Sequence, residues 1–255
     1  MLQIEQFMGY LDRGEVPPRP FTPDSIKCMG GYEYRDQCTS RGMWALVDLE
    51  WTKELADIIG STKCLEVMAG FGWLAKALKQ HGVDIIATDD QTWNGNRHSQ
   101  GKPFDFVEKL EALDAIEKYK DAEILIMSWP PYDDDAACTI GEAWGNEKPI
   151  IYIGENRGGC NATDEFHQCF QGKSDLSIPY WDGMHDYLQI GTYEPKTIEN
   201  NIRKQMKELM SIEPLDNATI LAEETAEILD CSFNNKWLDD PHHIVWEIAL
   251  EFFED

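Results

Sequence analysis

Short apolar runs alternate with longer amphipathic stretches through the middle of the chain. Cys64–Met68 (CLEVM), Val83–Thr88 (VDIIAT), Glu123–Met127 (EILIM) and Ile150–Ile153 (IIYI) are bounded by glycine or charge. Such runs predict strands buried on both faces. Phe104–Val107 predicts a short third strand, and Ile178–Trp181 and Asp186–Ile190 are candidates to close the sheet. Leu74–Gln80 and Glu108–Tyr119 between them have helical spacing. This alternation predicts an α/β fold with a doubly wound, mostly parallel sheet and right-handed crossovers.

Helical additions are predicted at both ends. From Arg41 to Ile59, Met43, Trp44, Leu46, Val47, Leu49, Trp51, Leu55, Ile58 and Ile59 recur at helical spacing, with Gly60 as a stop. The preceding GEVPPRPFTPD at 14–24 is too proline-rich for a helix interior. Beyond Pro195 the pattern turns helical again, over Thr197–Met210, Ile220–Leu229 and a stretch from Asp240-Pro241 to Phe253. Three sections are expected: an N-terminal extension at 1–60 whose helix covers the sheet, a central domain at 61–194, and a C-terminal helical extension at 195–255.

Composition narrows the function classes. The 255 residues include 47 acidic and 22 basic side chains, a net charge of −25. A broad basic surface for a phosphate backbone is excluded, which argues against duplex DNA as substrate. Hydrophobic residues at 42% exclude wholesale disorder. No run approaches the length of a membrane helix, and the N-terminus does not read as a secretory signal. Seven scattered cysteines with no CxxC pair suggest a reducing cytoplasm. Cys160, His167 and Cys169, with His98 and His242–His243 elsewhere, match no common zinc spacing, and no metal is expected.

Candidate chemistry gathers at the ends of the predicted strands. The first strand runs into Gly70-x-Gly72 and out into a helix, with Glu66 near its carboxyl end. Glycines there permit a sharp turn and close approach of a ligand. The second strand ends in Asp89-Asp90, and Asp89 falls 19 residues after Gly70, where a carboxylate is placed to accept bonds from ribose hydroxyls. The fourth strand enters Ser128-Trp129-Pro130-Pro131-Tyr132, a turn stiffened by two prolines. After the fifth come Gly154 and Glu155, which could orient a substrate nitrogen or cap a following helix. Asp133, Asp134 and Asp135 read as a solvated loop or as attraction for a cationic substrate. Arg35 and Arg41 stand out as cations in the N-terminal section, with Arg97 and Lys102 beyond.

Together these residues resemble the class I methyltransferases that use S-adenosylmethionine. The first motif of that family, acid-x-x-small-Gly-x-Gly, is matched by Glu66-Val67-Met68-Ala69-Gly70-Phe71-Gly72, and its second-strand acid by Asp89. The SWPPY turn is similar to the (Asp/Asn/Ser)-Pro-Pro-aromatic turn of amino-methyltransferases. The resemblance implies a Rossmann-like sheet of seven strands with one reversed near the edge. It implies S-adenosylmethionine as cofactor, with Glu66, Met68, Ala69, Gly70 and Gly72 under its methionine part and Asp89 and Asp90 at the ribose. Glu108 or Lys109 would flank the adenine. Ser128 would also touch the cofactor, and Ser128 through Tyr132 and Glu155 would face the acceptor, with an N-methylation among the candidate reactions.

Two other readings stay open. Gly70-x-Gly72-x-x-Ala75 also meets a loose dinucleotide fingerprint, although Glu66 and SWPPY do not belong to it. A noncatalytic, acidic module binding a basic protein partner draws on Met68, where the family often has glycine, and on Trp129, in the slot before Pro-Pro. For an enzyme, the charge favours a small molecule, nucleotide or protein side chain, neutral or cationic.

Overall fold

The computed structural model describes residues 2–20, 31–92, 101–132, 134–181, 183–195, 197–212, 218, 220–225 and 241–253. They fall into two compact units. One comprises residues up to 163 with 171–193, and the other comprises 164–170 with 194–255.

The first unit is built on a seven-stranded sheet. In chain order the strands are β1 Cys64–Val67, β2 Ile85–Asp89, β3 Val107–Lys109, β4 Ile124–Ser128, β5 Ile150–Glu155, β6 Phe170–Leu176 and β7 Asp186–Tyr193. Their spatial order is β3-β2-β1-β4-β5-β7-β6. Glu66 pairs in parallel with Ala87 on one side and Ile126 on the other, and Ser128 with Ile153. Strand β7 runs antiparallel to β5, with Glu155 opposite Asp186. This is the architecture that the methyltransferase resemblance implies, including the reversed strand near the edge. Every residue of β1 and β5 is buried, as continuous apolar runs under two helical layers should be.

Two strand expectations fail. Ile178–Trp181 is not a strand, although Ile178 and Trp181 are buried; the sheet closes instead with Phe170–Leu176. The third strand starts where it was expected to end, at Val107.

Helices α1 Ile4–Asp12, α2 Gly31–Ser40 and α3 Leu49–Ile59 precede the sheet. The helix expected from Arg41 begins only at Leu49. Asp48 caps it, accepting from the amides of Glu50 at 2.8 Å and Trp51 at 3.2 Å, a strong N-terminal signal. Met43, Ala45, Leu46 and Val47 are buried without being helical. The helix ends at Gly60, the predicted stop. It packs against α4 Trp73–Gln80, and Trp51 Nε1 donates to Leu46 O at 2.9 Å. Helices α5 Ala112–Lys118 and α6 Ala136–Trp144 complete this unit.

The second unit holds α7 Asp164–Cys169, α8 Thr197–Ile212, a helical stretch at 220–225 and α9 Pro241–Glu251. A forked pair from Arg203 to Glu251 joins α8 to α9. The expected start of the third C-terminal helix at Asp240 and the end of the second at Leu229 lie outside the described residues, as do Arg97, His98 and Asp133. No helix among the described residues is long and apolar enough to cross a membrane.

Candidate functional site

The parallel strands β1 to β5 all point their carboxyl ends to one edge. Between β1 and β4 the chain reverses its direction of travel across the sheet, where ligands of open α/β sheets bind. A cavity of about 850 Å³ opens there, within the range of small-molecule sites.

One side of the cavity comes from the ends of β1 and β2. Glu66 is 1% exposed. The amide of Ala75, an orphan donor in the first turn of α4, favours its charged form, while Oε2 is buried with no partner among the described residues. Burial raises its pKa to about 8, with the charge of Asp89 adding to the effect. Met68, Ala69 and Gly70 follow along the wall, and Met68 holds a left-handed φ of 53° that a non-glycine residue rarely adopts. Asp89 Oδ2 accepts from Gly70 N and Oδ1 from Gln91 N, both at 2.7 Å. The second-strand acid thus holds the glycine turn in place. Asp90 lies exposed at the rim and accepts from Thr92 N at 2.9 Å.

Gly72 does not line the cavity. It has a φ of +87°, and a Cβ there would come within 2.4 Å of Val107 Cγ2, so its role is to let α4 start close against β3. Trp73 beyond it does line the cavity, its indole donating to Arg41 O at 2.7 Å.

Glu108 is a correction. It does not line the cavity, and its carboxylate accepts from Lys118 and Tyr119. The strand runs on to Lys109, so Leu110, Glu111 and Ala112 line the site instead. Glu111 also caps α5, accepting from Leu113 N at 2.8 Å. Leu110 and Ala112 carry no signal of their own in the sequence; only the end of β3 would have found them.

The opposite wall is the SWPPY turn. Ser128, Trp129, Pro130, Pro131 and Tyr132 all border the cavity, and Tyr132 is half exposed. Trp129 has a φ of 55°, its amide donates to Ile153 O at 2.8 Å, and its indole Nε1 donates to Asp186 Oδ1 at 2.9 Å. The indole N–H is therefore spent inside the protein, and the ring serves as a wall. Trp44 stacks on it with centroids 6.0 Å apart.

Glu155 is the second correction. It neither lines the cavity nor caps the next helix. Its Oε2 accepts from Cys160 N at 2.8 Å and its Oε1 from His185 N at 3.0 Å, tying the loop after β5 to the entrance of β7. Cys160 and Met184 beside these ties do line the cavity. Arg41 is bound by Asp12 Oδ1 and Gln37 O, whereas Arg35 lines the cavity. Among the described residues no group of three or more His, Cys, Asp or Glu side chains is placed to hold a metal ion.

No family model and no curated protein matches the sequence. Among solved structures, a mutant of MtNAS is similar at 12% identity and a TM-score of 0.39, covering 75% of this chain and 71% of that one. The trans-methyltransferase CalH in complex with SAH is similar at 11% identity and a TM-score of 0.37, covering 74% and 65%. Human N-acetylserotonin methyltransferase in complex with SAM follows at 10% identity and a TM-score of 0.33, covering 75% and 67%. Overlaps this partial identify neither acceptor nor reaction, which must come from the cavity's own residues.

Proposed function

We propose that the protein is an S-adenosylmethionine-dependent methyltransferase acting on a small molecule, nucleotide or protein side chain. The observation that carries this is Glu66: a buried carboxyl with one unpartnered oxygen, at the end of β1, beside a glycine turn held by Asp89. A buried polar atom without a partner is costly, and a ligand donor relieves it. The residues fit the cofactor. Glu66 and the Met68–Gly70 turn would hold its amino-acid part, Asp89 and Asp90 its ribose, and Leu110 with Ala112 would flank its base.

When bound, the cofactor supplies a methyl group already activated on a sulfonium. The remaining work is alignment and exclusion of water. Trp129, Pro130 and Pro131 provide a rigid wall for the acceptor, since two prolines and the Asp186 bond leave that turn little freedom. Ser128, at the tip of β4, offers a hydroxyl that can accept from an acceptor N–H or O–H.

The commitment of the Trp129 indole to Asp186 also suits a second reading, a module that keeps the cofactor without turnover. Labelled S-adenosylmethionine incubated with the protein and fractionated cell extract separates the two. Label transfer to an extract fraction is expected. Binding of the cofactor with no transfer to any fraction would favour the noncatalytic module.

A further inference from the structure

We infer that Arg35 and the paired rings of Trp44 and Trp129 form a subsite for a carboxylate carried by the methyl acceptor. The inference rests on the methyltransferase reading of the same cavity. Arg35 is the one Lys, Arg or His among the described residues that line the cavity, in a chain of net charge −25. Its guanidinium lies over both rings, 5.6 Å from the centroid of Trp44 and 5.2 Å from that of Trp129. Cation–π stacking fixes the plane of the group without using its N–H edges. Its Nε is buried with no hydrogen-bond partner, and among the described residues Arg35 makes no ion pair. By contrast, Arg13, Arg41 and Arg203 each pair with a carboxylate.

A desolvated guanidinium edge without an acceptor is costly, and an oxyanion offsets that cost. The planar fork matches a carboxylate, which it can hold through two parallel bonds. Placement favours the acceptor over the cofactor. Arg35 lies over Trp129, in the turn after β4, and its charge acts on Asp186, at the start of β7, and on Cys160, after β5. The glycine turn and Asp89 belong to β1 and β2. Asp186 spends one oxygen on Trp129 and forms no ion pair with Arg35, so the guanidinium's N–H edges have no carboxylate acceptor among the described residues. The overall negative charge does not steer such a ligand inward; Arg35 selects it once it arrives. An acidic acceptor thus replaces the neutral or cationic one that net charge alone suggested.

Benzoate, benzamide and benzylamine serve as probes, titrated into wild type, Arg35→Gln and Arg35→Lys, with and without saturating S-adenosylhomocysteine. Calorimetry and tryptophan fluorescence read the binding, and thermal melts confirm that each variant is folded. Benzoate is expected to bind wild type about tenfold or more tighter than benzamide, with benzylamine weakest. Arg35→Gln should abolish that preference while benzamide changes by less than about twofold. Arg35→Lys, which keeps the charge but loses the fork, should fall between. Equal binding of benzoate and benzamide, no benzoate binding at all, or a preference that survives in Arg35→Gln overturns the subsite. If Arg35→Gln weakens S-adenosylhomocysteine about tenfold but leaves 5′-methylthioadenosine, which lacks the carboxylate, unaffected, Arg35 serves the cofactor and the acceptor assignment falls. Failure of wild type to bind S-adenosylhomocysteine would count against the methyltransferase reading, and the benzoate titrations without it would still read the Arg35 subsite.

Discussion

The indole Nε1 of Trp129 donates to Oδ1 of Asp186 at 2.9 Å, joining the tip of β4 to the first residue of β7. The bond holds a tryptophan in a left-handed backbone conformation and turns its ring into a cavity wall. Asp186 is buried and its Oδ2 has no partner among the described residues, so the indole is its main support. Trp129→Phe should therefore cost about 1–3 kcal/mol in urea unfolding, chiefly by leaving Asp186 unsatisfied. Adding Asp186→Leu to Trp129→Phe should recover part of the loss. A double variant that loses the sum of both single effects would show that the two residues act independently.

Three buried carboxyls, Asp48, Glu66 and Asp186, are raised by burial and make stability depend on pH, the last two most strongly. Burial raises Asp186 from 3.8 to about 7 and Glu66 from 4.5 to about 8. In each case the folded state retains a proton that the unfolded chain releases at lower pH. Their contribution is complete below the unfolded pKa and is lost as pH rises through the folded one. The protein should be less stable at pH 8 than at pH 5. Glu66→Gln and Asp186→Asn should each flatten that decline, by an amount on the order of 2–4 kcal/mol. Denaturant titrations across this window check it; a decline unchanged in both variants would refute the assignment.

Packing and backbone strain can be separated with two glycines. Gly60 has a φ of +63° and open space where a Cβ would go, whereas Gly72 has a φ of +87° and Val107 Cγ2 at 2.4 Å from that point. Gly60→Ala should cost about 1 kcal/mol, the strain alone. Gly72→Ala should cost about 2–4 kcal/mol, because overpacking against β3 adds to it. Equal losses in equilibrium unfolding would mean that α4 can move away from β3 freely.

Strands β1, β2, β4 and β5 are legible as short, mostly apolar runs, whereas β6, FQGKSDL, is not. CLEV and IIYIGE are buried along their whole length. The glycine turn and Asp89 were legible through spacing. What stayed hidden is set by tertiary contacts. Strand β3 goes from buried Val107 to exposed Lys109 within three residues, so hydropathy does not place its end and points to Glu108 where Leu110 to Ala112 line the site. Ile178 and Trp181 are buried in a loop, which periodicity mistakes for a strand. Glu155 looked chemical because it ends a strand, but two loop amides claim its oxygens. The segment from Arg41 to Asp48 carries apolar residues at helical spacing, yet the helix starts at Leu49, after the capping Asp48.

The central claim is that the cavity holds S-adenosylmethionine through Glu66 and Asp89, and calorimetry with S-adenosylhomocysteine tests it most directly. Wild type should bind, Glu66→Ala and Asp89→Ala should each weaken binding by about tenfold or more, and NADH should not bind. Absence of S-adenosylhomocysteine binding at millimolar ligand, or binding unaffected by both substitutions, would contradict it.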